Sequence, residues 1–253
     1  MIRRLAVLVA AILAIGAVVG GERIAVEEPE STPAFVADVT PAAQPIACPG
    51  PVEIPVGDID SGDPDLGSGS SERSYDVEGD TEPVGAGFLA SGDTAASLER
   101  IGSGDVAGLS AASCTAPSRE QWLVGGSTAL SASARLVLTN PSDASTEATV
   151  TFYGPIGELE ERAVVSIAPG GQQDLLLEGV VAEVPALVAR VVATGAGVVA
   201  HVQDSRLDGF QPAGTDWVSR GAVPGTRLVV PGVGVGDGGD ATLRLMAPDG
   251  ATV

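Results

Sequence analysis

The sequence predicts an all-β protein whose central part, residues 120–225, is an immunoglobulin-like β-sandwich. Apolar and polar residues alternate with a period of two through residues 134–204, turn residues separate the segments, and no helical period of 3.6 occurs between them. The alternation is clearest at Ala148, Val150 and Phe152, which are interleaved with Thr149, Thr151 and Tyr153. Several short strands with regular turn signals are typical of this fold class.

Each predicted strand is defined by the same alternation and closed by turn residues. Asn140 and Pro141 follow one segment, and Pro169 with two glycines follows another. Adding Gln121–Val124 before the run and Trp217–Ser219 after it gives seven or eight short strands. The residues expected to face the core are Leu136, Leu138, Ala148, Val150, Phe152, Ala163, Val165, Ile167, Leu175 and Leu177.

A hairpin is predicted around the glycine-rich sequence Thr194-Gly195-Ala196-Gly197. A tight turn there would pair residues 187–193 with 198–203. It would place His201, the only histidine, on the outer face opposite Arg190. A shift of one residue would reverse every face. The residues expected on the core side are Ala189, Val191, Ala193, Val198, Ala200 and Val202.

The charge balance excludes one class of partner. The chain has 33 acidic and 13 basic residues, with a net charge of −20. Such a field repels phosphate backbones, and no basic patch with interleaved aromatic residues opposes it, so nucleic acid is not an expected partner. An acidic surface is typical of a soluble domain outside the cell.

The amino-terminal region predicts export. Arg3 and Arg4 precede the uncharged apolar stretch Leu5–Val19, and residues 1–21 therefore form either a cleavable signal or a membrane anchor. Bulky residues at the cleavage position favour the anchor, which would leave the rest of the chain outside the cell in a single-pass arrangement; cleavage would make it secreted. Residues 22–46 are rich in Pro, Ala, Glu and Thr, which predicts a disordered spacer.

Cys48 and Cys114 are the only cysteines. An even pair in an exported chain favours a disulfide, which would close an acidic, loop-rich region over residues 47–119. A redox role is not favoured, because no C-x-x-C motif is present. Four aspartates in this region, Asp58, Asp60, Asp63 and Asp65, raise the possibility of calcium, but their spacing does not match an EF-hand and favours a solvated loop.

The carboxyl-terminal part resembles a second copy of the sandwich. Leu136 and Leu243 are 107 positions apart, and the same shift relates Leu138 to Leu245 and Pro141 to Pro248. Residues 226–253 are therefore predicted to be an incomplete second repeat, with strands at 228–230 and 241–246. Two strands cannot bury a core alone, so we expect either that the sequence is part of a longer protein or that the tail pairs with the first sandwich.

Several short motifs together resemble a known family. They are Cys48-Pro49-Gly50, Ser113-Cys114 with Pro117, Trp122 with Val124-Gly125-Gly126, Asn140-Pro141, and Asp204, Gly209 and Asp216. This set is similar to an uncharacterised family of actinobacterial exported proteins with one amino-terminal membrane segment. The resemblance covers most of the chain from about residue 45. The family has no assigned activity, its members are usually longer, and its gene neighbourhood implies an envelope role.

Catalysis is not predicted from the residue types present. A Ser-His-Asp arrangement would need His201 with Asp204 or Asp208, and no G-x-S-x-G motif exists. Zinc would need more histidine and cysteine than the chain has. We therefore expect no cofactor and no metal site. Paired carboxylates that hydrolyse glycosides are the alternative.

The polar stretch 204–216 is the expected contact loop, with Asp204, Asp208 and Asp216 as its acidic residues. We therefore expect a non-catalytic, exported cell-envelope protein that acts as a scaffold or binding module. Its expected partners are the membrane, through the amino-terminal segment, and an envelope polysaccharide or protein. The alternative is an extracellular carbohydrate-active hydrolase that uses acidic residues.

Overall fold

Antiparallel strands make up most of the chain that can be described. The computed structural model of the protein describes residues 45–52, 71–75, 80–91, 95–102, 108–208, 211–230 and 242–248. The strands in these ranges are β1 Ile46–Cys48, β2 Ser71–Tyr75, β3 Thr81–Val84, β4 Gly87–Ala90, β5 Ser97–Gly102, β6 Gly108–Ser113, β7 Glu120–Val124, β8 Ala132–Asn140, β9 Thr146–Gly154, β10 Gly157–Ile167, β11 Gly171–Leu176, β12 Val188–Ala193, β13 Val199–Asp208 and β14 Gln211–Val218, with a 3-10 turn at Leu177–Gly179.

Strands β7 to β14 form two four-stranded sheets that share one core. The first sheet has the order β10-β9-β12-β7 and the second has the order β11-β8-β13-β14. Phe152 from the first sheet and Leu136 from the second are both fully buried in the same apolar cluster. The predicted all-β class is confirmed, and the residues predicted to face the core do so; Ala163, Val165 and Leu175 are only partly buried against it.

The hairpin predicted around Gly195 does not form. Strand β12 pairs with β7 and β9, whereas β13 pairs with β8 and β14, so residues 194–198 cross from one sheet to the other. The predicted faces are nevertheless right, because both strands present their small apolar residues to one core from opposite sides. Arg190 and His201 consequently belong to different sheets, and their predicted pairing is wrong.

A further layer covers the outer face of the second sheet. Ala112 of β6 and Val52 pack against Val137 and Trp217 of that sheet. Residues 47–119 were predicted to be loop-rich, but their described parts contain two three-stranded sheets, β1-β4-β3 and β2-β5-β6. These strands are three to six residues long, and several, such as Gly108–Ser113, lack the apolar alternation that would identify them in the sequence.

The two ends of the chain are described in part or not at all. The predicted anchor at 1–21 and almost all of the predicted spacer lie outside the described residues. No helix among the residues that are described is long and apolar enough to cross a membrane. The tail strands predicted at 228–230 and 241–246 are absent where the chain is described. Leu228, Val230, Leu243 and Leu245 are 49–63% exposed, because no neighbouring strand pairs with them.

Candidate functional site

The predicted contact loop is a long β-hairpin. Strand β13 extends to Asp208, and β14 begins at Gln211, which pairs with it. Asp204 and Asp216 lie directly opposite each other in this ladder. The stretch was predicted to be a loop because its glycines and proline are typical of turns. Gly214, with φ of +114°, and an irregular register after Arg206 accommodate these residues within paired strands.

Asp204 and Asp216 line a hollow of about 350 Å³ together with Arg206 and the first residues of β6. Asp204 Oδ2 accepts a hydrogen bond from Arg206 Nη2 at 2.8 Å. Asp216 Oδ1 accepts from the backbone N–H groups of Ala111 at 2.9 Å and Trp217 at 2.8 Å. Asp216 therefore fastens β6 to the edge of the second sheet. Asp208 is exposed and does not line the hollow.

His201 is buried on the face of β13 that β6 covers. Its Nε2 donates to the carbonyl oxygen of Ser113 at 3.0 Å, and its ring meets the indole of Trp217 edge-on at 6.2 Å. Burial lowers the pKa of His201, and the hydrogen bond to Ser113 opposes this only in part. Side chains three apart on a strand point to opposite faces, so His201 and Asp204 project to different sides of the sheet.

Cys48 and Cys114 lie in a geometry that is compatible with the predicted disulfide, with their Cα atoms 4.3 Å apart. Neighbouring backbone bonds hold the two segments in register, because Ala47 and Thr115 exchange hydrogen bonds of 2.9 and 3.1 Å. The two half-cystines are buried with Ala96 in a small apolar cluster. The pair thus connects β1 to the residue that follows β6.

Candidate metal ligands do not cluster in the described residues. Among those residues no group of three or more His, Cys, Asp or Glu side chains could hold a metal ion. The aspartate cluster Asp58, Asp60, Asp63 and Asp65 lies outside the described residues. The predicted solvated loop there stays a prediction.

A second concave site lies beside β7, which is an edge strand of the first sheet. The chain after β14 approaches this edge at one point, where the N–H of Gly221 donates to the carbonyl oxygen of Trp122 at 2.8 Å. A Cβ atom at Gly221 would lie 3.2 Å from that oxygen, so a side chain would crowd the approach. A cleft of about 560 Å³ lies there, lined by Ser118, Glu120, Gln121, Trp122, Arg220, Gly221, Ala222, Val223 and Pro224.

Interlocked side chains fix one wall of this cleft. Arg190 Nε donates to Glu120 Oε1 at 2.9 Å, and its guanidinium lies 5.4 Å from the centre of the Trp122 ring. Tyr153 packs against Trp122 with ring centres 5.4 Å apart. The pKa of Tyr153 is raised, mainly by burial and to a lesser degree by the Glu158 carboxylate. The pKa of Arg190 is raised, mainly by its hydrogen bond to Glu120. The indole is therefore held in one orientation.

A family model matches residues 81–253, and its description is a family of unknown function, DUF5719. The chain belongs to this family. No curated protein matches the chain. The crystal structure of Thermotoga maritima 1070 is similar to part of it, with 13% identity and a TM-score of 0.38, covering 44% of this chain and 98% of that one.

The residues matched by the DUF5719 model include the cleft beside β7, the β13–β14 hairpin and Cys114, but they begin after Cys48. Sequence reasoning identified Trp122 only as a landmark and missed Arg220. No local pattern points to it, because both tryptophans of the chain have an arginine three residues away, Arg119 beside Trp122 and Arg220 beside Trp217. Which strand edge Arg220 would reach depends on the topology, which the sequence does not reveal.

Proposed function

We propose that the protein is a non-catalytic, exported component of the cell envelope whose immunoglobulin-like sandwich binds a polysaccharide or a protein. Export is supported by Arg3 and Arg4 before the apolar stretch Leu5–Val19. It is also supported by the disulfide-compatible pair Cys48 and Cys114, since disulfides persist in oxidising compartments. The apolar stretch would anchor the chain, and the sandwich would stand outside the membrane.

The separation of the groups that could perform catalysis is the main support for a binding role. A hydrolase that used His201 would need carboxylates beside its ring in a concave site. His201 Nε2 instead bonds to Ser113, while Asp204 projects from the other side of β13. The side chain therefore serves the packing of β6 on the second sheet. The two concave sites described above remain as contact surfaces.

A specific observation favours the hydrolase as a second candidate. Asp204 and Asp216 are opposite each other and line one hollow, and glycosidases use a pair of carboxyl groups. One member of such a pair must donate a proton. Here Asp204 Oδ2 accepts from Arg206 and Asp216 Oδ1 accepts from two backbone N–H groups, so one oxygen of each carboxyl group already holds a structural contact. These contacts favour the binding role.

A pull-down with the purified protein tests the proposal. The protein is immobilised and exposed separately to envelope polysaccharide and to envelope proteins of the source organism. We expect one specific component to be retained and no reducing sugar to be released with time. Release that is abolished by Asp204→Asn and Asp216→Asn would establish the hydrolase instead, and retention of nothing would leave the binding role without support.

A further inference from the structure

We propose that the cleft beside β7 binds an anionic saccharide unit, with Arg220 holding its carboxylate or phosphate group. This inference rests on the proposed binding function and gives that function a site and a ligand class. The cleft has a volume of about 560 Å³. Clefts of roughly 300–1,000 Å³ are usual for small ligands, so one unit of a polymer has room there.

The charge around the cleft differs from that of the whole chain. The protein carries a net charge of −20 and has only 13 basic residues. Arg220 and Glu120 are the charged residues that line the cleft. Arg119 lies next to Glu120 in sequence, and Arg190 contacts Glu120. The lining itself is therefore balanced in charge, whereas the chain has a net charge of −20, so this point repels anions less than the rest of the protein does.

Arg220 is the cation available to a ligand. Arg190 is already paired with Glu120 at 2.9 Å, and Arg119 Nε donates to the carbonyl oxygen of Gly195 at 2.8 Å. Arg220 is exposed, and no described carboxylate lies within ion-pair distance of it. A guanidinium binds carboxylate and phosphate groups through two parallel hydrogen bonds, so both kinds of anion fit this position.

The remaining lining residues fit a sugar ring better than a bare anion. Val223 and Pro224 provide exposed apolar surface next to Trp122, which is only 7% exposed, while Ser118 and Glu120 provide oxygen atoms. A saccharide presents C–H groups on one face and hydroxyl groups at its edge. Only Oε1 of Glu120 is taken by Arg190, so Oε2 can accept a hydrogen bond from a hydroxyl. Because Arg190 and Tyr153 hold Trp122 in place, little ordering is needed on binding.

The test is a titration of the full-length protein with glucuronate, glucose 1-phosphate and glucose, followed by nuclear magnetic resonance. The indole N–H signal of Trp122 reports on the cleft, and that of Trp217, which is outside it, is the reference. We expect both anionic sugars to shift the Trp122 signal and to bind at least about ten times more tightly than glucose, since hydrogen bonds to charged groups are the stronger ones. Added salt should weaken this preference.

Arg220→Gln is the decisive variant, and Arg227→Gln is its matched control. Both arginines are exposed, and Arg227 does not line the cleft. We expect Arg220→Gln to lower the affinity for the anionic sugars about tenfold and Arg227→Gln to leave it unchanged. Circular dichroism should show both variants folded. Binding of only one anion would identify the carboxylate or the phosphate as the recognised group.

Three results would overturn the assignment: equal losses in the two arginine variants, equal affinity for glucose and the anions, or no response to any of the sugars. The proposed function fails separately. If wild type and Arg220→Gln retain the same envelope component in the pull-down, binding occurs at another surface and only the cleft assignment is wrong. If wild type retains nothing and no sugar binds, both proposals are wrong.

Discussion

His201 of β13 is buried beneath β6, and this burial makes the stability of the sandwich depend on pH. The ring is 1% exposed, and burial lowers its pKa below the ordinary value. In the unfolded chain this histidine has a pKa near 6.5. Below about pH 6.5 the unfolded state therefore binds more protons than the folded state, and the free energy of unfolding falls as the pH is lowered.

His201→Gln tests this directly, since glutamine can still donate to Ser113 but does not titrate. We expect the unfolding free energy of wild type to fall by up to about 1.4 kcal/mol per pH unit below pH 6.5, and that of the variant to fall less steeply. Urea unfolding at several pH values between 7.5 and 5.5 measures both slopes. Because the chain has one histidine, identical slopes would show that His201 is accessible or charged in the folded state.

At the scale of elements, the crossing between β12 and β13 depends on Gly197. Its φ is +90°, and a Cβ atom there would lie 2.4 Å from the carbonyl carbon and oxygen of Ser118. Ser118 and Val198 exchange backbone hydrogen bonds of 2.9 and 3.1 Å at the same place. A side chain at this position would therefore push apart the two segments that lead into β7 and β13.

Gly197→Ala should destabilise the protein more than Gly170→Ala. Gly170 also has a positive φ, +56°, but a Cβ atom there would have no other atom within 4 Å, so alanine costs only the backbone term of about 1–2 kcal/mol. Gly197→Ala adds overlap with rigid backbone, which costs about 1–3 kcal/mol more. Chemical denaturation of the two variants measures the difference. Equal losses would mean that Ser118 moves away freely.

The same crossing shows how far the sequence predicts the elements. Alternation gave the faces of β12 and β13 correctly, since a side chain such as Val191 or Val202 is buried whichever strand lies beside it. Alternation does not say which strand that is. A short glycine-rich connection suits a hairpin, and it also suits a crossing to the facing sheet, so the pairing of β12 with β9 could not be predicted.

At the scale of the whole molecule, the central core was predictable and its covering layer was not. Leu136 and Phe152 stand in strong alternating patterns and are buried as expected. Strand β6 consists of Gly, Leu, Ser and Ala and has no such pattern. The burial of Val137 and His201 depends on that strand, and so does the hollow at Asp204 and Asp216. The cleft beside β7 likewise depends on where the chain after β14 returns.

Deletion of residues 226–253 tests the predicted incomplete repeat at this scale. In the first sandwich Leu123, Leu136 and Leu138 are fully buried, whereas their counterparts under the 107-residue shift, Val230, Leu243 and Leu245, are 57–63% exposed. The described part of the tail touches the sandwich through Arg244, whose Nη1 donates to the carbonyl oxygen of Gly126 at 3.0 Å. Such a bond contributes about 1 kcal/mol.

The melting temperature should therefore fall by less than about 4 °C on deletion, as measured by calorimetry. Arg244→Gln is the matched control: it removes the same hydrogen bond and leaves the tail in place, so the two changes should have the same small effect. A fall of more than about 10 °C on deletion, with little effect of Arg244→Gln, would mean that tail residues complete the first core. The tail would then belong to this sandwich and not to a second one.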